Sequence, residues 1–287
     1  MLTSLFVLIS EAALSLYPIL IKKVSTTIGT QLLSRLVTYS ILGFLFASTS
    51  DIKQTWATSS GITRSLSLGF MTLIHIASSY FAFDSLPTGV SMSLFYLYPI
   101  FNLIGAALFF NESFGLTQVL LVSIAFIGSI LVSFSLKDDD SFTSTKSIQW
   151  KGIVSALIAA VTESGMYFAV RTAKQPNPFY AILELYPGAL PLLLASLFYF
   201  SKESPIDTNL SNWSSMTLFN TCIGFVGYCL RFFAIPRIST VAFSLLSFVG
   251  VLTSFIWGYL FVSEVPTSLS VLGGTLIAAA ASFVKSQ

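Results

Sequence analysis

Apolar positions in this chain come in long runs separated by short polar breaks. The runs cover residues 1–22, 31–48, 62–83, 88–110 and 114–136, then 150–171, 179–200, 213–235, 238–261 and 266–284. Each has about the 20 residues a helix needs to cross a hydrocarbon core roughly 30 Å thick, where every backbone N–H and C=O must be satisfied within the segment. Five runs precede and five follow KDDDSFTSTKSIQ, residues 137–149, the most polar stretch of the chain. The pattern predicts an all-α integral membrane protein with ten transmembrane helices: a first unit over 1–136, a linker over 137–149 and a second unit over 150–287.

The two units are related. Residues 84–128, DSLPTGVSMSLFYLYPIFNLIGAALFFNESFGLTQVLLVSIAFIG, superpose without a gap on 236–280, PRISTVAFSLLSFVGVLTSFIWGYLFVSEVPTSLSVLGGTLIAAA. Glu112 falls on Glu264, Thr88 on Thr240, Leu108 on Leu260 and Phe109 on Phe261. An odd number of spans per copy makes the second enter the membrane from the opposite side, so the expected architecture is two inverted five-helix repeats around a central site. Pro99 meets Val251 in this register, so the two copies need not bend alike. Pro18, Pro99, Pro187 and Pro191 remove backbone donors within runs and predict kinks.

Composition changes the picture by exclusion. Of 287 residues, 54% are hydrophobic and 9% charged, against about 25% charged in a soluble domain. A net charge of +2, with 14 basic residues in no long tract, points away from nucleic acid. The first run lacks a basic start and a small-residue cleavage site and carries Glu11 and Pro18, so it reads as a retained helix. Cys222 and Cys229, two helical turns apart on one face, read as buried thiols. With one histidine no metal set can be completed. No phosphate-binding G-x-x-x-x-G-K-[ST] loop is present, and no nucleophile and base can be assembled. No cofactor and no enzyme activity are expected.

Ionisable residues inside apolar runs carry the functional signal, because each costs roughly 2.5 to 3.5 kcal/mol at a helix centre. Away from the ends of the runs they are Glu11, Arg35, His75, Glu163, Glu184 and Arg231; Lys22 and Arg171 lie near helix ends, can snorkel to the interface and are weaker candidates. Inverted topology would set Arg35 and His75 in the outer half, Glu184 and Arg231 in the inner half, and Glu11 and Glu163 near the middle. Structural ion pairs are then expected between Glu184 and Arg231 and between Glu11 and Arg35. Alternatively, Glu11 or Glu163 holds substrate charge or a proton. Glu112 and Glu264 end the repeated helices and read as caps or gate contacts.

Thr88, Ser91, Phe95, Tyr98, Asn102 and Gly105 recur at helical spacing and form one polar and aromatic face. The matching stripe, Thr240, Ser244, Ser247, Val251, Ser254 and Gly258, reads as helix packing. Tyr17, Tyr80, Tyr96, Tyr167, Tyr186 and Tyr228 also fall within runs. Substrate-binding candidates are therefore Glu11, Tyr17, Arg35, His75, Tyr98, Asn102 and Glu163, an aromatic and acidic set suited to an amine or amino acid. The last helix and the 114–136 helix are expected to support the bundle or a homodimer interface.

Five plus five short-looped helices resemble the drug/metabolite transporter superfamily, specifically its EamA-type members. The resemblance is carried by FAFDSLPTGVSMSLFYLYPIF followed by LFFNE, by RFFAIPRISTVAFSLLSF followed by LFVSE, and by Lys22 followed by Arg35. It covers nearly the whole chain. Lysine and arginine counts tie between the two sides; the resemblance implies both termini in the cytosol, with the plasma membrane favoured. It also implies a secondary carrier for a small polar organic metabolite, working by alternating access with proton coupling or exchange. The rivals are a nucleotide-sugar or phosphate-ester antiporter of an internal membrane, disfavoured by the expected separation of Arg35 from Arg231, and a non-transporting scaffold.

Overall fold

A computed structural model describes residues 2–134, 146–173, 175–199, 206–263, 265 and 267–283, and these contain helices but no strand. Of the expected linker over 137–149, residues 137–145 lie outside the described residues, as does Glu264, while 146–149 are helical rather than linker.

Helix boundaries follow local chemistry. The first run is two helices, α1 (Leu2–Leu14) and α2 (Tyr17–Lys23), the second carrying Pro18 in its first turn. α3 (Ile28–Phe46) starts where the Thr27 side chain accepts from the Thr30 N–H. A short helix not anticipated from the runs, α4 (Thr49–Trp56), opens with a capping box between Ser48 and Asp51. α5 (Ser59–Ser85), capped by Thr58, leads to α6 (Thr88–Phe95), α7 (Tyr98–Phe110) and α8 (Leu116–Phe134).

The second half holds α9 (Lys146–Arg171), α10 (Pro178–Leu185), α11 (Ala189–Tyr199) and α12 (Leu210–Phe219). A π-helical turn, Asn220–Phe225, joins α12 to α13 (Val226–Ala234). α14 (Thr240–Ser247), α15 (Val249–Val262) and α16 (Ser268–Ser282) follow.

Among the described residues, eight segments are long and apolar enough to cross a membrane; Leu116–Leu131 and Val271–Ser282 are apolar but shorter. The chain is an integral, multi-pass, all-α membrane protein. Pro191 does not kink a helix as expected, because it falls in the first turn of α11, where no intrahelical donor is needed.

The sequence repeat is matched in the backbone. α6 and the break after it recur 152 residues later in α14 and its break, and the left-handed residue after α7, Asn111 (φ 51°), recurs as Ser263 (φ 62°). The copies thus break at the same place although only one carries a proline. Helices of the two halves interleave: α5 packs along α9, α8 along α16 and α1 along α13. That interleaving brings the charged positions of both halves into one core.

Candidate functional site

Glu11 lies in the last turn of α1, near the middle of the apolar span Leu2–Lys23, and is fully buried. The break between α6 and α7 turns two hydroxyls onto it: Tyr96 Oη donates to Oε2 at 2.8 Å and Tyr98 Oη to Oε1 at 3.2 Å. Ser247 Oγ, at the end of α14, stands 3.3 Å from Oε1. The expected packing role of the second stripe is therefore incomplete, since one member reaches the acid. Gly250 makes room for this arrangement, because a Cβ there would lie 1.8 Å from the Tyr96 hydroxyl.

Arg231 of α13 joins Glu11 to Glu163 of α9. Its Nη2 is 3.5 Å from Glu11 Oε1 and its Nη1 is 2.9 Å from Glu163 Oε1. The guanidinium also lies 4.8 Å from the Tyr98 ring centre and 5.6 Å from that of Phe243. His75 of α5 closes the cluster. Its Nδ1 is 3.1 Å from the Ala159 carbonyl, which can only accept, so Nδ1 carries the proton. Nε2 lies 3.1 Å from Glu163 Oε2, although that oxygen receives no aligned hydrogen bond among the described residues. The pair is therefore a close approach and not an aligned hydrogen bond.

The expected ion pairs are corrected. Glu184 does not meet Arg231; it takes Arg64 at 2.7 and 3.3 Å and the Tyr180 hydroxyl at 2.9 Å. Arg64 stands in the first turns of α5, where sequence alone reads a loop charge. Glu11 meets Arg231 rather than Arg35, because α1 packs along α13. Arg35 and Arg231 are also not separated: both line one small cavity with Tyr17, His75, Tyr96 and Tyr228. Its volume of about 20 Å³ is room for about one water molecule.

Arg35 has an environment of another kind. Five tyrosine rings surround its guanidinium carbon: Tyr17 at 4.5 Å, Tyr228 at 5.0 Å, Tyr39 at 5.4 Å, Tyr80 at 5.7 Å and Tyr186 at 5.9 Å. Its Nη groups reach the hydroxyls of Tyr186 at 3.3 Å and Tyr80 at 3.5 Å, while Nε reaches nothing among the described residues. Among the described residues no carboxylate forms a salt bridge with it. Tyr39 was missed from sequence, though it sits one helical turn beyond Arg35. The π-helical turn holds this side of the cage: Tyr17 Oη bonds Asn220 Oδ1 at 3.0 Å and Tyr39 Oη at 2.8 Å, and both hydroxyls rest against Gly224.

Two further networks lie at helix ends. Glu112, Arg171 and Thr240 bond one another, with Tyr167 Oη 2.7 Å from Arg171. At the repeat-related position Lys22 Nζ donates to Thr88 Oγ1 at 3.0 Å. Asn102 is buried, with neither amide atom hydrogen-bonded among the described residues, and it is not on the cavity wall. Cys222 is exposed and Cys229 only half-buried, which corrects their reading as buried thiols; both are free. Among the described residues no cluster of His, Cys, Asp or Glu could hold a metal ion.

Residues 150–285 match the EamA-like transporter family. The pseudopaline exporter CntI of Pseudomonas aeruginosa is 22% identical over 220 residues, 77% of this chain and 74% of that protein. An uncharacterized transporter of Bacillus subtilis, YdfC, is 28% identical over 195 residues, 66% of this chain and 59% of that one. A solved crystal structure superposes with a TM-score of 0.69 at 16% identity, covering 98% of this chain and 94% of the other, a likeness of fold.

Proposed function

We propose that this chain, an EamA-type transporter, carries a small polar organic metabolite, an amino acid or amine in preference, across a membrane by alternating access. The observation that carries the reading is the buried polar core, in which Glu11, Arg35 and His75 of the first half meet Glu163 and Arg231 of the second. So many ionisable groups at helix centres are costly unless they serve a solute or ion path. A site shared by two related halves is what rocking of one half against the other needs.

In this reading α8 and α16 complete ten spans, and the repeats over 1–136 and 150–287 are inverted, with both termini in the cytosol and the plasma membrane as the working membrane. Glu112 with Arg171 then forms a gate at one membrane face and Lys22 with Thr88 part of its counterpart at the other. Coupling runs to protons through the carboxylates or to exchange of a second solute. The association of α8 and α16 is the place for any homodimer contact.

Reconstituted full-length protein tests this in proteoliposomes with a broad metabolite panel, by counterflow and under imposed pH gradients. Saturable flux lost in both Glu11→Gln and Glu163→Gln is expected. Flux at background for every solute, together with no ligand in a thermal-shift screen, would leave the scaffold reading. Saturable uptake indifferent to pH gradient and counter-solute would reduce the mechanism to facilitated diffusion.

A further inference from the structure

We infer that Arg35 and its ring of tyrosines form a carboxylate-binding pole of the transport site, so that the carried solute bears at least one carboxylate. The inference rests on the transport reading and narrows it, because an amine lacking an acid group would leave this pole unused.

The first ground is charge. Two arginines and two glutamates meet in the core, so their formal charges balance in sum, but both carboxylates lie against Arg231. None is left for Arg35, which is only 2% exposed. Tyrosine rings attract a cation through their faces, yet each ring is neutral and cancels no charge. A guanidinium so placed is stabilised by the ring faces, yet among the described residues no carboxylate is in contact with it.

The second ground is geometry. Guanidinium offers five N–H donors in a planar fork, and its Nε and Nη edge fits the two oxygens of a carboxylate. Here the two Nη contacts to tyrosine hydroxyls are long, at 3.3 and 3.5 Å, and Nε has no acceptor among the described residues. Arg231 has no buried donor without a partner among the described residues, and its two Nη groups stand 2.9 and 3.5 Å from acids. Arg35 also lines the small cavity, so its open donor belongs to a place a solute could occupy once the core expands.

The third ground is the origin of the cage. Tyr17, Tyr39 and Tyr80 come from the first half, Tyr186 and Tyr228 from the second. An anion held at Arg35 would draw rings from both halves around it, and the Tyr228 ring lies within 6.0 Å of both guanidinium carbons. Occupancy would therefore be felt by both moving parts. The same count argues against a phosphate ester. A dianionic phosphate calls for a second unengaged base, and Arg231, although in the same cavity, is taken.

The test pairs acids with their amides. Full-length protein in detergent is heated with the common amino acids and simple mono- and dicarboxylic acids, each beside the corresponding amide at matched ionic strength, and the hits are carried into proteoliposome competition. We expect at least one acid to protect and to be transported, its amide to compete roughly tenfold less well or worse, and Arg35→Gln to abolish the difference.

An amide that competes as well as its acid would overturn the pole and leave transport standing. The pole falls equally if no acid protects while some other solute is carried. It falls too if Arg35→Gln keeps the preference for the acid over its amide. Absence of all flux would instead overturn the transport reading itself, and the pole with it.

Discussion

Arg35 and Arg231 are both buried in one core and bound the same cavity, yet they are accommodated by opposite means. Arg231 stands between two carboxylates. Arg35 stands among five aromatic faces with no carboxylate of its own. The first arrangement has its ionic partners without a ligand and ties α1, α9 and α13 together; the second leaves the Nε donor without an acceptor among the described residues. Within one core, then, the arginine with the fuller set of ionic partners is the structural one, and the arginine that lacks them is better suited to a solute.

The largest effect that could break this contrast is removal of the paired arginine. Arg231→Met leaves Glu11 and Glu163 buried without their cation, and truncating one partner of such a pair costs about 3–5 kcal/mol. Thermal unfolding of the purified protein should show it as a large drop. Adding Glu11→Gln and Glu163→Gln to the same chain should recover most of the loss. A small drop for Arg231→Met would mean that the two arginines are equivalent and the contrast is false.

Smaller effects are expected from crowding each pole in turn. A Cβ at Gly224 would stand 2.2 Å from the Tyr17 hydroxyl and 2.4 Å from that of Tyr39, while one at Gly250 would press on Tyr96. Overpacking of this kind costs about 1–3 kcal/mol. Gly224→Ala should disturb the Arg35 cage and weaken solute affinity, whereas Gly250→Ala should disturb the hydroxyls on Glu11. Equal changes in affinity from both would show that the poles are not separable.

Eight of the ten expected spans are long apolar helices among the described residues, and they were legible because a membrane allows few alternatives to runs of about 20 apolar residues; the internal similarity was legible because residues 84–128 align on 236–280 without a gap. Glu11, Glu163, His75, Arg35, Tyr17 and Tyr98 stand out as polar groups in apolar helices, and the structure brings them to one core. Their pairing was not legible. Position along a helix gives depth in the membrane but not which helix stands alongside, so depth alone pairs Glu11 with Arg35 when α13 supplies Arg231. Arg64 is hidden for a related reason: it lies near the start of α5, where a sequence reads it as loop charge, and its side chain extends back to Glu184. Tyr39 is one more aromatic in an apolar run until the packing of α3 places it beside Arg35.

A finer probe of the paired pole uses the fact that the chain has a single histidine. Nitrogen-15 labelling of histidine gives one imidazole to observe, and its Nδ1 should read as protonated, because it faces the Ala159 carbonyl. Glu163→Gln should shift the Nε2 signal and leave Nδ1 nearly unchanged. An Nε2 signal indifferent to the substitution would separate His75 from the Arg231 cluster and narrow that pole to Glu11, Glu163 and Arg231.

The smallest expected effect comes from a charge outside the membrane segments, and it shows how differently an acid behaves there. Asp207 precedes α12 and accepts from Asn212 Nδ2 at 2.7 Å, from the Asn209 N–H at 2.8 Å and from Thr26 Oγ1 at 2.7 Å. These donors, Asn212 foremost, hold its carboxyl below the usual range. A lowered folded-state value means that the ionised form is favoured by folding. Its contribution is therefore present above the unfolded pKa, about 3.9, and is lost as pH falls through the lower folded value. Asp207→Asn should flatten the acid end of the melting profile slightly and leave transport near neutral pH unchanged. If instead it altered solute affinity as much as the substitutions around Arg35, loop charge outside the membrane would be setting the site, and the contrast between the two buried arginines would lose its meaning.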